Sequence, residues 1–203
     1  MITGVVLAGG ESKRMGRDKA FLELCGKTFL RHILEKLDIY CDQIIISGNR
    51  EKDLYMKETY DLKADFVFVK DIEPYSGPLN GIISCIDHIN HDLVFISTCD
   101  TPLLKPDIIP FLIDEIDDYE AVIPVIKGKF QPLNTVYRKS ALLKGREAYH
   151  EKGIRSLYRW IKLIRHKKIF EDKILNIDRD LSSYLSINTP QLYEAVKRKV
   201  KEC

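Results

Sequence analysis

The chain has 203 residues, of which 45% are hydrophobic and 31% are charged, and its 32 basic and 30 acidic side chains leave a formal net charge of +2. This length suits one domain with a substantial core, and the charged fraction is too high for an integral membrane protein. The near balance of charge gives no overall field that would favour binding to DNA, RNA or an anionic membrane. We therefore expect neither a nucleic-acid nor a membrane partner.

Five short apolar runs are the predicted strands of a central sheet. They are rich in β-branched and aromatic residues and do not alternate with polar residues, which is typical of strands buried on both faces. These runs are residues 5–7, 44–46, 66–69, 93–96 and 121–123. Apolar residues at helical spacing predict intervening helices over residues 29–37, 79–86 and 108–116. Alternating strands and helices predict an α/β fold with a parallel sheet.

Beyond Pro124 the alternation becomes less regular. Residues 128–129 have the composition of a turn, and residues 133–137 that of another strand. Further helices are predicted over residues 139–150, over residues 156–164 and after Pro190, and extended structure over residues 174–177. No linker or repeat divides the chain, so we expect a single domain over residues 1–203.

The cysteines and the N-terminus bear on where the protein works. The five cysteines are scattered, odd in number and without a CxxC pair, which favours neither a disulfide framework nor a zinc site. We interpret them as free thiols that are mostly buried. The apolar run before the first glycine pair is too short for a signal peptide, and no run is long enough to span a bilayer. We therefore expect a cytoplasmic protein.

The segment over residues 7–19, LAGGESKRMGRDK, follows the first predicted strand and combines paired glycines with cations. Gly9 and Gly10 allow backbone N–H groups to approach an anion closely. The positive charges that accompany them are Lys13, Arg14, Arg17 and Lys19. The segment fits neither the P-loop pattern nor the dinucleotide-binding pattern, and a solvated surface loop explains its composition equally well.

Polar side chains follow the next three predicted strands. Asn49, Asp71 and Asp100 come directly after or close to the ends of these strands. Ligands of open parallel sheets bind outside the carboxyl ends of the strands, so we expect these side chains to converge. The carboxylate of Asp100 suits Mg²⁺, and an amide with a carboxylate suits a purine edge or a ribose hydroxyl. Turn formation is the alternative explanation for all three.

An ordered set of motifs extends through the chain from one end to the other. These motifs are Leu7-Ala8-Gly9-Gly10, Ser12, Arg14-Met15-Gly16, Asp18-Lys19-Ala20, Ser76-Gly77-Pro78-Leu79, Cys99-Asp100-Thr101-Pro102, Gln131-Pro132-Leu133 and Asn188-Thr189-Pro190. In this set the chain resembles the molybdenum cofactor guanylyltransferases, which belong to the nucleotidyltransferases. The resemblance implies a three-layer α/β/α Rossmann-like nucleotidyltransferase fold with a mostly parallel central sheet. Residues 1–105 would form the nucleotide-binding portion and residues 106–203 the acceptor-binding portion.

The resemblance also implies a reaction and a set of residue roles. GTP would donate GMP to the terminal phosphate of the molybdopterin cofactor and release pyrophosphate, with Mg²⁺ held by Asp100. The catalytic residues would be Lys19, Arg14 and Asp100, with Lys19 in contact with phosphate. The nucleotide would be bound by Leu7, Ala8, Gly9, Gly10, Lys19, Asn49, Asp71 and Asp100, the first three through backbone atoms. Asn188 matches a position near the metal site where some relatives carry Asp.

The partners that the resemblance implies are GTP, molybdopterin and, transiently, other proteins of molybdenum cofactor biosynthesis or recipient molybdoenzymes. Contacts on the acceptor side are expected from Arg155, Arg159, Lys129 and Gln131, and solvent exposure is the alternative explanation for the basic residues among them. Two alternatives stay open, namely a cytidylyltransferase or other nucleotidyltransferase of small phosphates, and a nucleotide-binding regulator without turnover. Gly9 favours the guanylyl branch, because cytidylyl relatives commonly carry Ala there and because a glycine leaves space beside a purine.

Overall fold

The computed structural model describes residues 1–12 and 15–200 and has a mostly parallel sheet at its centre. The strands of the described residues are β1 (Ile2–Leu7), β2 (Glu23–Leu24), β3 (Lys27–Thr28), β4 (Gln43–Gly48), β5 (Asp65–Lys70), β6 (Leu93–Thr98), β7 (Ala121–Ile126), β8 (Lys129–Phe130), β9 (Thr135–Arg138) and β10 (His166–Phe170). All five predicted apolar runs are strands. The short pair β2 and β3 forms a separate antiparallel ribbon.

The strand order of the central sheet is β10-β7-β9-β6-β1-β4-β5, and β8 pairs with β7. Strands β6, β1, β4 and β5 are parallel neighbours, whereas β9 is antiparallel to both β6 and β7. The predicted mostly parallel sheet is thus confirmed. Because the parallel strands end at one edge, the loops after β1, β4, β5 and β6 meet there.

Helices cover both faces of the sheet and complete three layers. They are α1 (Phe29–Leu37), α2 (Lys52–Met56), α3 (Pro78–Cys85), α4 (Ile108–Asp114), α5 (Lys139–Lys152), α6 (Leu157–Ile161), α7 (Glu171–Leu175) and α8 (Pro190–Lys199). Adjacent residues of β1 point to opposite faces: Val6 packs in the core with α1, α4 and α7, and Val5 packs with α3, α5 and α6.

Local sequence signals explain where several helices begin and end. Thr28 caps α1 by accepting a hydrogen bond from the Arg31 amide, and Thr189 caps α8 in the same way. α5 ends at Gly153, which has a left-handed backbone with φ of 64°. One prediction is wrong: residues 174–177 are not extended, because Ile174 lies in α7 as its one buried side chain. The extended segment lies earlier, in β10.

Cys41, Cys85 and Cys99 are buried free thiols, as predicted. Cys25 is exposed, and Cys203 lies outside the described residues. Among the helices that the structure describes, none combines the length and the apolar character needed to cross a bilayer.

Candidate functional site

The carboxyl edge of the parallel strands holds a cavity of about 310 Å³. Its walls come from the loops after β1, β5 and β6, from the end of β4 and from the start of α3. The lining residues are Leu7, Gly9, Gly10, Glu11, Lys19, Ser47, Asp71, Tyr75, Gly77, Pro78, Gly81, Thr98, Asp100 and Leu133. The convergence of the first loop with Asp71 and Asp100 is therefore present in the fold.

Gly9, Asn49 and Asp71 form a closely packed triangle on one side of this cavity. The Asn49 Nδ2 atom donates to the Gly9 carbonyl and to Asp71 Oδ2, both at 2.7 Å. The second oxygen of Asp71, Oδ1, accepts a hydrogen bond from the Ser47 hydroxyl. A Cβ at Gly9 would lie 2.5 Å from both Asn49 Nδ2 and Asp71 Oδ2. The side-chain space at Gly9, which we expected to be free for a purine, is taken by these two residues.

Asn49 and Asp71 stand differently towards the cavity. Asp71 lines it, whereas Asn49 is not among the described lining residues and lies behind Gly9 and Asp71. Asn49 Oδ1 is buried and has no hydrogen-bond partner. An unmade bond at a buried amide oxygen costs about 1–3 kcal/mol. Exchanging the amide nitrogen and oxygen would not help, because both neighbours of Nδ2 are acceptors. Asn49 therefore retains an unused acceptor.

Lys19, Asp100 and Asn188 form a second group of hydrogen-bonded side chains, of which Lys19 and Asp100 line the cavity. Lys19 Nζ lies 2.8 Å from Asp100 Oδ2 and 2.8 Å from Asn188 Oδ1, and the lysine and aspartate side chains are 17% and 15% exposed. The Ser186 hydroxyl also donates to Asp100 Oδ2 at 2.7 Å, and Thr98 donates to Oδ1 at 3.2 Å. The Asp100 carboxylate thus accepts hydrogen bonds from three side chains, which come from three parts of the chain.

The turn that carries Lys19 is fixed by its own neighbours. Asp18 caps the 3₁₀ turn Lys19–Phe21 by accepting from the Ala20 amide, and Ser12 Oγ accepts from the Lys19 amide at 3.0 Å. Arg17 is exposed, and the predicted phosphate residue Arg14 lies outside the described residues, as does Lys13. Of the predicted cations in this loop, the structure therefore brings Lys19 to the cavity.

The Ser76-Gly77-Pro78-Leu79 motif forms the entrance to α3, and its N-terminus faces the same cavity. Gly77 has φ of 91°, a conformation that favours glycine, and Pro78 occupies the first helical turn. Gly81 packs against β1 and β4, since a Cβ there would lie 3.0 Å from Ser47 Oγ and 3.2 Å from Leu7 Cδ2. These small residues bring a helix N-terminus, with its partial positive charge, close to the cavity.

A second cavity of about 290 Å³ adjoins the first across Asp100. The two share Pro78, Thr98, Asp100 and Leu133. Of the four residues expected on the acceptor side, Gln131 lines the second cavity, whereas the other three are absent from its described lining. Arg155 instead stacks 3.6 Å above the Tyr149 ring, and Lys129 lines a separate, larger cavity. Asp100 is therefore the charged side chain that lines both cavities.

The polar side chains around Asp100 present oxygen atoms and no sulfur or imidazole ligand among the bonds described. Within residues 1–12 and 15–200, no group of three or more His, Cys, Asp or Glu side chains gathers as a metal cluster. Asp100, Asn188 and Ser186 instead offer oxygen atoms, which Mg²⁺ prefers when it shares its shell with substrate phosphates. Burial raises the pKa of the neighbouring Cys99 thiol, which disfavours the nucleophilic thiolate form.

The family assignment follows from comparison with known proteins. The model of the MobA-like NTP transferase domain matches residues 4–169. The chain belongs to the MobA-like NTP transferase family. One relative, a probable molybdenum cofactor guanylyltransferase of Clostridium perfringens, is 34% identical over 97% of this chain and 96% of its own length. Another, the molybdenum cofactor guanylyltransferase of Desulfosudis oleivorans, is 32% identical over 98% and 96%.

Solved structures place the same fold in this MobA-like family and beyond it. Molybdopterin-guanine dinucleotide biosynthesis protein A of Archaeoglobus fulgidus superposes with a TM-score of 0.79 at 25% identity, covering 99% of this chain and 100% of that one. The 4-diphosphocytidyl-2C-methyl-D-erythritol synthase of Anaerococcus prevotii has a TM-score of 0.76 at 13% identity, covering 99% and 96%. The predicted Rossmann-like nucleotidyltransferase fold is confirmed.

Several residues of the MobA-like site were not predicted from sequence. They are Ser47, Tyr75, Thr98 and Ser186. Thr98 ends β6 directly before the Asp100 motif, and Ser186 lies two residues before Asn188, so both could have been found by extending the motifs along the chain. Ser47 and Tyr75 carry no such signal, because single polar residues at strand ends and in loops are common.

Proposed function

We propose that this chain is a molybdenum cofactor guanylyltransferase, which transfers GMP from GTP to the terminal phosphate of molybdopterin. The observation that carries the proposal is the position of Asp100 and Lys19 on the wall of the 310 Å³ cavity, with Asp100 also on the wall of the second. A nucleotide in the first cavity and a phosphate acceptor in the second would meet at these two side chains. Relatives with this name at up to 34% identity support the choice of substrates.

The transfer itself needs no enzyme nucleophile. A terminal phosphate oxygen of the acceptor attacks the α-phosphorus of GTP, a P–O bond forms, and the bond from that phosphorus to the β-phosphate oxygen breaks to release pyrophosphate. The attacking phosphate is already largely ionised near neutral pH, so no general base is required. Bringing anions together makes positioning and charge neutralisation the main tasks of the protein.

Lys19 is placed for charge neutralisation. Its ammonium group has three N–H donors, of which two bind Asp100 and Asn188 in this structure. The third is left for a phosphate oxygen, and the flexible side chain can follow the phosphate during transfer. Gly10 and the N-terminus of α3 line the same cavity and supply backbone N–H groups towards an anion. We keep Arg14 as a further phosphate contact on the strength of the family resemblance.

The oxygen donors around Asp100 fit Mg²⁺. We propose that Asp100 holds the ion, with Asn188 as a neutral oxygen neighbour, while Ser186 and Thr98 keep the carboxylate oriented. When bound, Mg²⁺ would neutralise charge on the α-phosphate and on the departing pyrophosphate. In this structure the Lys19 ammonium group bonds to Asp100 Oδ2 and Asn188 Oδ1, the oxygen atoms that the ion would share. Lys19 can therefore keep Asp100 and Asn188 in position before substrate binds.

Base and ribose recognition falls to the side of the cavity where Gly9, Asn49 and Asp71 meet. Asp71 lines the cavity and can accept hydrogen bonds from nucleotide N–H or O–H groups. Asn49 does not line the cavity, and it holds Asp71 and Gly9 in place through its Nδ2 atom. Leu7 lines the cavity directly, whereas Ala8 is buried behind it, with its amide bonded to the Ser47 carbonyl.

The acceptor side is the second cavity, with Gln131 and Leu133 next to Asp100. This supports a division of the single domain into a nucleotide portion over residues 1–105 and an acceptor portion over residues 106–203. We place the reaction in the cytoplasm. We also propose transient contacts with other cofactor-biosynthesis proteins or recipient molybdoenzymes, and these contacts rest on the resemblance alone.

Pyrophosphate release tests the proposal. The purified protein is incubated with GTP, Mg²⁺ and molybdopterin, and pyrophosphate is measured with each component omitted in turn. We expect release when all three are present. Failure with authentic acceptor would instead favour a nucleotide-binding regulator without turnover.

A further inference from the structure

Tyr55 is a buried tyrosine of α2 whose hydroxyl bonds to the backbone of the turn after β4. Its oxygen lies 3.2 Å from the amide nitrogens of both Asn49 and Arg50, which donate to it. The side chain is fully buried and does not line either cavity described above. Its polar atom thus serves the turn that carries Asn49.

Packing fixes the position of this hydroxyl. The Tyr55 ring stacks on Phe68 with centroids 5.1 Å apart and contacts Phe21 at 5.3 Å. It also lies against the backbone of Gly48, where a Cβ would come within 2.5 Å of the Tyr55 Cζ atom. A tyrosine ring packed on three sides in this way has little rotational freedom, so the position of its oxygen constrains the backbone of the turn.

The turn after β4 positions side chains at the nucleotide cavity. Asn49 reaches from this turn to the Gly9 carbonyl and to Asp71, and Asp71 lines the cavity. Arg50, the second residue bound by Tyr55, pairs with Asp18 at 3.3 Å. Asp18 caps the turn that carries Lys19. A displacement of the Tyr55 hydroxyl would therefore move Asn49 and Asp71 directly. It would affect Lys19 less, because the connection to Lys19 includes the partly exposed ion pair of Arg50 and Asp18.

We propose that Tyr55 is a positioning residue that sets the turn at Asn49 and thereby determines how tightly and how selectively the guanine nucleotide is bound. This inference rests on the function proposed above. Tyr55 acts through Asn49 and Asp71, and it makes no contact with the reacting phosphates. A change at Tyr55 should therefore alter the affinity for the nucleotide and leave the rate of the chemical step unchanged.

The test compares Tyr55→Phe with the wild-type protein. The variant keeps the ring and its packing but removes the oxygen that accepts from the two amides. We expect the KM for GTP and the calorimetric Kd for GTP to rise about tenfold, with kcat and the KM for molybdopterin unchanged. Discrimination of GTP against ATP should fall by a similar factor. Gly48→Ala, which pushes the ring without removing the oxygen, should change the KM for GTP in the same direction.

Tyr137→Phe is the matched control, because it also removes a buried tyrosine hydroxyl, here one that donates to the Pro132 carbonyl at 2.8 Å. It should lower the melting temperature and leave the Kd for GTP unchanged. A Tyr55→Phe protein with a lower melting temperature but wild-type KM and wild-type preference for GTP would overturn the inference, and so would a loss confined to kcat. If the wild-type protein itself neither binds nor uses GTP, the proposed function fails and this inference fails with it.

Discussion

Gly9→Ala is the substitution for which the structure predicts the most specific loss. The added Cβ would lie 2.5 Å from Asn49 Nδ2 and 2.5 Å from Asp71 Oδ2, a separation at which one or both side chains must move. The movement breaks the 2.7 Å hydrogen bond between Asn49 and Asp71 and takes the Asp71 carboxylate away from its place in the cavity wall.

The magnitude follows from the contact that is lost. A hydrogen bond that involves a charged group contributes about 1.5–3 kcal/mol. Loss of one such bond between Asp71 and the nucleotide, at about 2 kcal/mol, corresponds to a roughly thirtyfold rise in the Kd for GTP. Isothermal titration calorimetry with GTP measures this directly on the purified protein.

Two other glycines provide controls. Gly10→Ala adds a Cβ with no atom within 4 Å, so the melting temperature of the free protein should not change, whereas Gly9→Ala should lower it. Gly145 lies in α5, a helix with no residue in the described lining of either cavity, and a Cβ there would lie 2.9 Å from Trp160 Nε1. Gly145→Ala should therefore lower the melting temperature by overpacking and leave the Kd for GTP unchanged. A Gly9→Ala protein that binds GTP with wild-type affinity would refute the assigned role of the triangle of Gly9, Asn49 and Asp71.

Three further outcomes are expected. Asp100→Ala should lower turnover with GTP and Mg²⁺ by about 10²–10³-fold while circular dichroism shows an intact fold, and near-normal turnover would end the metal assignment. Asn134→Ala removes buried hydrogen bonds to Ser97, Thr101 and the Ser183 carbonyl, and urea unfolding should show a loss of about 3 kcal/mol. Burial and Lys105 lower the pKa of Lys36 from 10.5 to about 8, so wild-type stability relative to Lys36→Met should rise between those two pH values. A constant difference in the unfolding free energy across that pH range would contradict this.

The central sheet and the position of the site could be predicted because they depend on local patterns. Runs such as residues 44–46 are apolar on both faces, and this singles out strands buried between helix layers. Once the parallel strands are placed, chain topology alone puts Asp71 and Asp100 at one edge. The antiparallel direction of β9 is not encoded in the composition of residues 133–137, so it could not be predicted in the same way.

Contacts between distant parts of the chain could not be predicted. Ser186 reaches Asp100 across 86 positions, and the hydroxyl of Tyr55 acts on backbone amides, which leave no mark on the sequence. The requirement for glycine at position 9 could not be predicted either, because the side chains that fill the space beside it, Asn49 and Asp71, follow other strands of the sheet. The helix over residues 171–175 was missed because its apolar face consists of one buried residue, Ile174.

The measurement that tests the central claim most directly is the identity of the nucleotide joined to the acceptor. GTP, CTP and ATP are offered together at equal concentration with Mg²⁺ and molybdopterin, and the product is analysed by mass spectrometry. We predict molybdopterin guanine dinucleotide as the main product, formed with one pyrophosphate per transfer. A product that carries cytosine would contradict the account and identify the chain as a cytidylyltransferase.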